Sequence, residues 1–202
     1  MPSGNAIQSA RRLFSEHGGT LRTAEALRRG IHPRTLYAMR NSGLLEQIGR
    51  GLYRLADLPP LANPDWIPIF SKVPRAVICL ISALSYHELT TQVPHYIDIA
   101  LPSHAQAPRV DGLPLRVFWF SPHAFEAGIQ KVAIDGCPIR IYSPEKTLAD
   151  CFKYRRKIGL DIAVEALRLY RERRKPQIKE LVQYARICRV ERVMQPYLQA
   201  LL

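Results

Sequence analysis

Residues 32–55 read HPRTLYAMRNSGLLEQIGRGLYRL. Pro33 suits the first turn of a helix, where its missing N–H would have no partner anyway. Leu36 and Met39 stand three apart and mark an inward face, and Gly43 stops the helix. Residues 45–48 and 52–55 then alternate as two short strands. Between them Gly49-Arg50-Gly51 supplies the positive φ angles that a hairpin tip needs. A helix followed directly by such a hairpin predicts a winged helix-turn-helix.

Upstream, apolar residues at Ile7, Ala10, Leu13 and Phe14 predict a helix over 5–17 with Asn5 as its cap, ended by Gly18-Gly19. Thr23 can cap a short second helix closed by Gly30, and Ile31-His32 makes the turn into the third. In this arrangement the third helix enters the major groove. Its outward side shows Arg34, Thr35, Tyr37, Ala38, Arg40 and Asn41. Arginine suits guanine or phosphate, Asn41 adenine, and Thr35 or Ala38 a thymine methyl. Arg50 at the wing tip faces the minor groove or the backbone. Arg22 and Thr23, at the start of the second helix, complete the expected DNA-binding set.

The charge balance agrees. The chain has 202 residues and a net charge of +12, which favours a polyanionic partner. Every basic residue of the first sixty is Arg. Cys79, Cys137, Cys151 and Cys188 have no metal-ligand spacing and are expected as free, buried thiols in a reducing compartment. With no membrane-length apolar run and no leader-like start, a cytoplasmic protein is expected.

Four prolines in 58–68 (LPPLANPDWIP) predict a stiff linker between a domain at 1–57 and another at 69–202. The second domain is expected to open with a short helix at 65–73 and a buried helix over 76–89. Strands follow at 95–101, 115–120, 129–134 and 138–142, the last two joined at Asp135-Gly136. A mostly antiparallel sheet of about four strands is the natural assembly. Four helices then form a C-terminal bundle; Ser143 caps the first, and Leu201 closes the inward stripe of the last. The fold class is therefore α+β.

Chemistry is thinly represented. Lys146 and Asp150 share a helix face, which Lys153 and Lys157 continue. That spacing fits either a surface ion pair or a polar patch for a partner. Lys146, Asp150, Lys153, Arg155 and Arg156 form the candidate partner patch. Asp135, Glu145 and Lys146 lack the spacing of a metal-dependent nuclease. Ser85 and His87 do not share a helix face, so no nucleophile pair is expected. Neither a cofactor nor a metal is implied.

The chain resembles the AbiEi-type antitoxins of bacterial toxin–antitoxin and phage-defence (abortive-infection) operons. The resemblance rests on GIHPRTLYAMRNSGLLEQIGRGLYRL, SALSYHELT (82–90), SPEKTLADCFKYRRKIGLD (143–161), EALR (165–168) and the terminal RVMQPYLQAL. It implies an autorepressor that binds inverted repeats in double-stranded operator DNA, as a homodimer or cooperatively. It also implies a second domain without enzymatic activity that counters a nucleotidyltransferase-like toxin. His32 departs from the Ser or Thr expected as the recognition-helix cap, which predicts a weaker cap. RNA is a further candidate partner of the basic run at 153–175. Two other readings fit the residues: a winged-helix nucleic-acid-processing enzyme, and a plain transcription factor with a sensor or dimerisation domain.

Overall fold

The computed structural model describes residues 2–61, 63–110, 112–134 and 137–201, with the side chain of Leu201 outside the described set. The turn expected at Asp135-Gly136 also lies outside the described residues. The chain divides into two compact units: Met1–Pro74 with Ala133–Ile139, and Arg75–Val132 with Arg140–Leu202. It is mixed α+β, as its periodicities predict.

The first unit begins with α1 (Gly4–Glu16), β1 (Thr20–Arg22), α2 (Thr23–Arg28) and α3 (Pro33–Asn41). β2 (Leu45–Gly49), β3 (Leu52–Leu55) and α4 (Trp66–Lys72) follow. Ser3, not Asn5, caps α1 by accepting the Ala6 N–H at 3.3 Å. The sheet order is β1-β3-β2, antiparallel throughout. β1 is too short to show a periodicity; it exists because Leu21 pairs with Tyr53 and buries its side chain.

Phe14, Ala26, Ile31, Leu36, Met39, Leu45 and Tyr53 form one core under the three helices. The turn between α2 and α3 is fixed by two backbone bonds: Gly30 N–H to the Leu27 carbonyl and Ile31 N–H to the Ala26 carbonyl, both 3.0 Å. This doubled closure requires the left-handed φ of +90° at Gly30. Ile31 then buries and holds the next helix against the core. The proline-rich stretch differs from the expected linker. Part of it winds into α4, whose Trp66, Ile67, Ile69 and Phe70 are buried, and the first unit runs on to Pro74.

The remaining elements are β4 (Val77–Ile78), α5 (Leu80–Tyr86), β5 (Ile97–Pro102), β6 (Leu115–Phe120), α6 (Pro122–Glu126), β7 (Ile129–Ile134) and β8 (Cys137–Tyr142). Helices α7 (Pro144–Lys153), α8 (Arg155–Ile158), α9 (Leu160–Arg171), α10 (Ile178–Ile187) and α11 (Glu191–Leu201) complete the chain. The sheet has five strands in the order β6-β5-β4-β8-β7. It is mixed rather than mostly antiparallel: β4 runs antiparallel to β5, but β5–β6 and β4–β8 are parallel. The connection over 103–114 is long enough for the crossover that parallel neighbours need.

The apolar run expected as one helix over 76–89 splits. Val77-Ile78 joins the sheet, and the chain turns sharply into α5 at Leu80, with φ +45°. Fully buried Asp98 secures that turn. Its Oδ2 accepts the Ile81 N–H at 3.2 Å, and its two oxygens take the Arg116 fork at 2.7 and 2.9 Å. Burial pushes the Asp98 carboxyl up, and the Arg116 hydrogen bonds pull it back down.

Helix α7 lies in the middle of the second core, and eight of its ten residues are buried. Lys146 and Asp150 are among them, both fully buried, with Nζ 2.5 Å from Oδ2. The ammonium sits 4.1 Å from the Tyr142 ring centroid and 4.8 Å from that of Phe120. Asp150 Oδ1 accepts the Cys188 S–H at 3.2 Å. Burial pushes the Asp150 carboxyl up, against the pull of Lys146, and pushes the Cys188 thiol up to about 12, so it remains a donor.

Two stability outcomes follow from this packing. Lys146→Ala or Asp150→Ala alone strands a buried charge and should cost about 3–5 kcal/mol; the double variant Lys146→Met, Asp150→Leu should recover most of that loss. Urea unfolding measures all three, and single variants near wild-type stability would contradict the buried pair. Arg189, exposed after α10, holds φ +59° where glycine is favoured. Arg189→Gly should stabilise by about 0.5–1 kcal/mol, a rise of a few degrees in Tm; an unchanged or lower Tm would contradict the strain.

Candidate nucleic-acid interface

The exposed side of α3 is built by its two ends. At its start the His32 imidazole Nδ1 accepts the Arg34 N–H at 3.2 Å, so His32 serves as a cap in place of Ser or Thr. Leu36 and Met39 anchor the helix, leaving Arg34, Tyr37, Arg40 and Asn41 exposed. Thr35 is not among them. It lies one turn before Met39 on the same flank and is only 5% exposed, so it packs inward instead of facing a groove.

Arg40, Asn41 and Tyr37 form one cluster. Arg40 donates from Nε and Nη2 to Asn41 Oδ1 at 3.1 and 2.9 Å. Its guanidinium lies 5.3 Å from the Tyr37 ring centroid. These contacts restrict a flexible side chain, and a restricted side chain loses less entropy on engaging a ligand. The Asn41 carbonyl oxygen is occupied by Arg40.

The wing is the β2–β3 hairpin, with a register shift between Gln47 and Gly49 and Arg50 exposed at its tip. Its position is set by Gly51, at φ +64°. The Gly51 carbonyl accepts from the Thr23 N–H at 2.8 Å and from the Thr23 hydroxyl at 3.2 Å. Thr23 is therefore the first residue of α2 and a wing anchor, not its cap; Arg22 takes the cap position and its side chain is exposed.

The arginines divide sharply. The four acids of the first sixty residues are each taken by one of them: Glu16 by Arg12, Glu25 by Arg29, Glu46 by buried Arg54, and Asp57 by Arg11. Arg22, Arg28, Arg34, Arg40 and Arg50 have no ion pair among the described residues, and all five are exposed. Arg28 is missing from the expected set. Glu25 lies within reach of both Arg28 (i+3) and Arg29 (i+4), and the structure pairs it with Arg29, which leaves Arg28 without an ion pair.

In the second unit the expected partner patch breaks up. Lys146 and Asp150 lie in the core and cannot meet a partner at the surface. Lys153 and Arg155 are half-buried, with Arg155 donating to the Phe152 carbonyl at 2.8 Å, and Arg156 is exposed. Glu145 is buried and accepts the Tyr170 hydroxyl at 2.6 Å. His87 Nε2 donates to the Tyr142 carbonyl at 2.7 Å, and burial lowers its pKa. Among the described residues no three His, Cys, Asp or Glu side chains gather as a metal site would need. Cys79, Cys137, Cys151 and Cys188 are all buried. No described helix is long and apolar enough to cross a membrane.

Known proteins resemble the chain at two levels. The crystal structure of the RV2827C protein from Mycobacterium tuberculosis superposes with a TM-score of 0.54 over 98% of this chain and 82% of that one, at 16% identity. At that identity the likeness concerns the fold. No curated protein matches the chain. A family model, described as transcriptional regulator, AbiEi antitoxin, matches residues 8–56. Those residues run from α1 to the end of the wing, so the part of the chain that carries the five unpaired arginines is the part that matches the AbiEi antitoxin family of transcriptional regulators.

Proposed function

We propose that the first unit is a winged helix-turn-helix that binds double-stranded operator DNA and represses its own operon. One observation carries this reading: in the first sixty residues the positive charge left after internal pairing resides on Arg22, Arg28, Arg34, Arg40 and Arg50, along α2, α3 and the wing. The α3 side chains Arg34, Tyr37 and Arg40 enter the major groove, and Arg50 reaches the adjacent minor groove or backbone. Two copies, as a homodimer or bound cooperatively, occupy an inverted repeat. Thr35 stays in the core, and Thr23 acts on the wing. The second unit counters a nucleotidyltransferase-like toxin from the same operon; this rests on the resemblance carried by residues 82–90 and 143–161.

Fluorescence anisotropy with the duplex upstream of the gene tests the DNA reading. Arg34→Ala and Arg40→Ala should each weaken binding by about 1–3 kcal/mol. Arg12→Ala, which removes an already paired charge, should leave it within about threefold. Equal losses from all three would mean that net charge, not this face, does the binding. Co-expression with the adjacent gene tests the other half. The Arg34→Ala, Arg40→Ala variant should lose repression and still restore growth, whereas absence of rescue by the wild-type chain would remove the antitoxin reading.

A further inference from the structure

One of the unpaired arginines on the DNA-facing side is held differently from the others. Among the described residues, Arg40 alone of Arg22, Arg28, Arg34, Arg40 and Arg50 has its guanidinium bonded to another side chain. Arg28 bonds only to the Ala24 carbonyl of its own helix, at 3.4 Å. The partner of Arg40 is neutral Asn41, so the side chain is oriented while its charge stays uncancelled. The acids that pair Arg11, Arg12, Arg29 and Arg54 cancel theirs.

The atoms used decide what remains. A guanidinium carries two forks: a side edge, made by Nε–H and one N–H of Nη2, and an end edge, made by the other N–H of Nη2 and one of Nη1. Arg40 gives Asn41 Oδ1 its side edge, Nε at 3.1 Å and Nη2 at 2.9 Å. The Tyr37 ring, 5.3 Å away, restrains the same group through a cation–π contact. The end edge is left open on an exposed residue. Asn41 is spent in return. Reading adenine would need its oxygen to accept from the base amine while its amide donates to N7. That oxygen already accepts two N–H groups, as many as its lone pairs take.

We propose that Arg40 reads a guanine through its Nη1–Nη2 edge, donating to O6 and N7, and that Asn41 is its positioning residue and not a reader of adenine. This holds only with α3 in the major groove, the reading proposed above for the first unit. Guanine alone shows two neighbouring acceptors on its major-groove edge; adenine sets a donor beside N7, and thymine a methyl beside O4. A base edge lies in a fixed plane at the groove floor, so it favours an oriented fork. A phosphate can be met from many directions, which suits the unrestrained side chains of Arg22, Arg34 and Arg50.

The test is fluorescence anisotropy of the full-length protein on its promoter duplex, with each guanine in turn replaced by 7-deazaguanine and each adenine by 7-deazaadenine. These analogues keep base pairing and phosphates and remove only the N7 acceptor. The wild-type chain should lose about tenfold in affinity at a particular guanine. Arg40→Ala should bind the unmodified duplex more weakly and show no further loss at that guanine, whereas Arg34→Ala should weaken binding and keep the loss. Asn41→Ala should shrink the loss at the same guanine to about threefold or less, and should respond to every modified adenine as the wild type does. Asn41→Asp keeps the acceptor oxygen without the amide donor and should restore the full loss; the loss is a ratio, so the added negative charge cancels. If no guanine shows a loss that Arg40→Ala removes, Arg40 is a phosphate contact and its role as a reader falls, while duplex binding by the wild-type chain leaves α3 in the groove. A loss at an adenine that Asn41→Ala abolishes, or a full guanine loss in Asn41→Ala, overturns the positioning role. Failure of the wild-type chain to bind the duplex removes the α3 reading itself, and the guanine contact with it.

Discussion

One carbonyl oxygen organises the first unit. Gly51, at the base of the wing tip, accepts both the backbone N–H and the hydroxyl of Thr23. Two donors on one acceptor tie the wing to the first turn of α2. Arg50 precedes Gly51 and Arg22 precedes Thr23, so the bond makes neighbours of two charges that are far apart in sequence. The doubled closure at Gly30 then fixes α3 relative to α2, and with it Arg34 and Arg40. The positions of the unpaired arginines are thus set by backbone geometry. Four other arginines spend their charge on four acids within the unit.

How legible this was depended on the range of the interaction. Leu36 and Met39 announce the inward face of α3, and glycines mark its turns, because both effects act within a few residues. Thr35 was misplaced for a local reason: a face drawn from two anchors leaves the flank undecided, and packing settled it. The cap at His32 was underrated because an imidazole nitrogen can accept a backbone N–H as a hydroxyl does. β1 and β4 carry no signal of their own, being strands only by virtue of distant partners.

Lys146 and Asp150 make the same point most sharply. An i,i+4 pair reads identically on a surface helix and in a core. What decides is the presence of Tyr142 and Phe120 around the ammonium and Cys188 against the carboxylate, contributed by other elements. The basic stretch after them was visible as composition. How it packs, with Tyr154 against Phe118 and Lys153 beside Phe120, became visible only when β6 met α7 and α8. Part of the proline-rich stretch looked like a linker because proline dominates its composition, yet Trp66, Ile67, Ile69 and Phe70 gave it an apolar face to bury.

The account stands or falls on where duplex DNA touches the molecule. A backbone amide NMR titration of the full-length, isotope-labelled chain with its promoter duplex reports this residue by residue. The account predicts that the largest shifts fall on residues 34–41 and around Arg50, with Arg22 and Arg28 at the border and the Lys146–Asp150 core unmoved. Shifts spread over the basic junction at 153–157, with α3 and the wing silent, would contradict it.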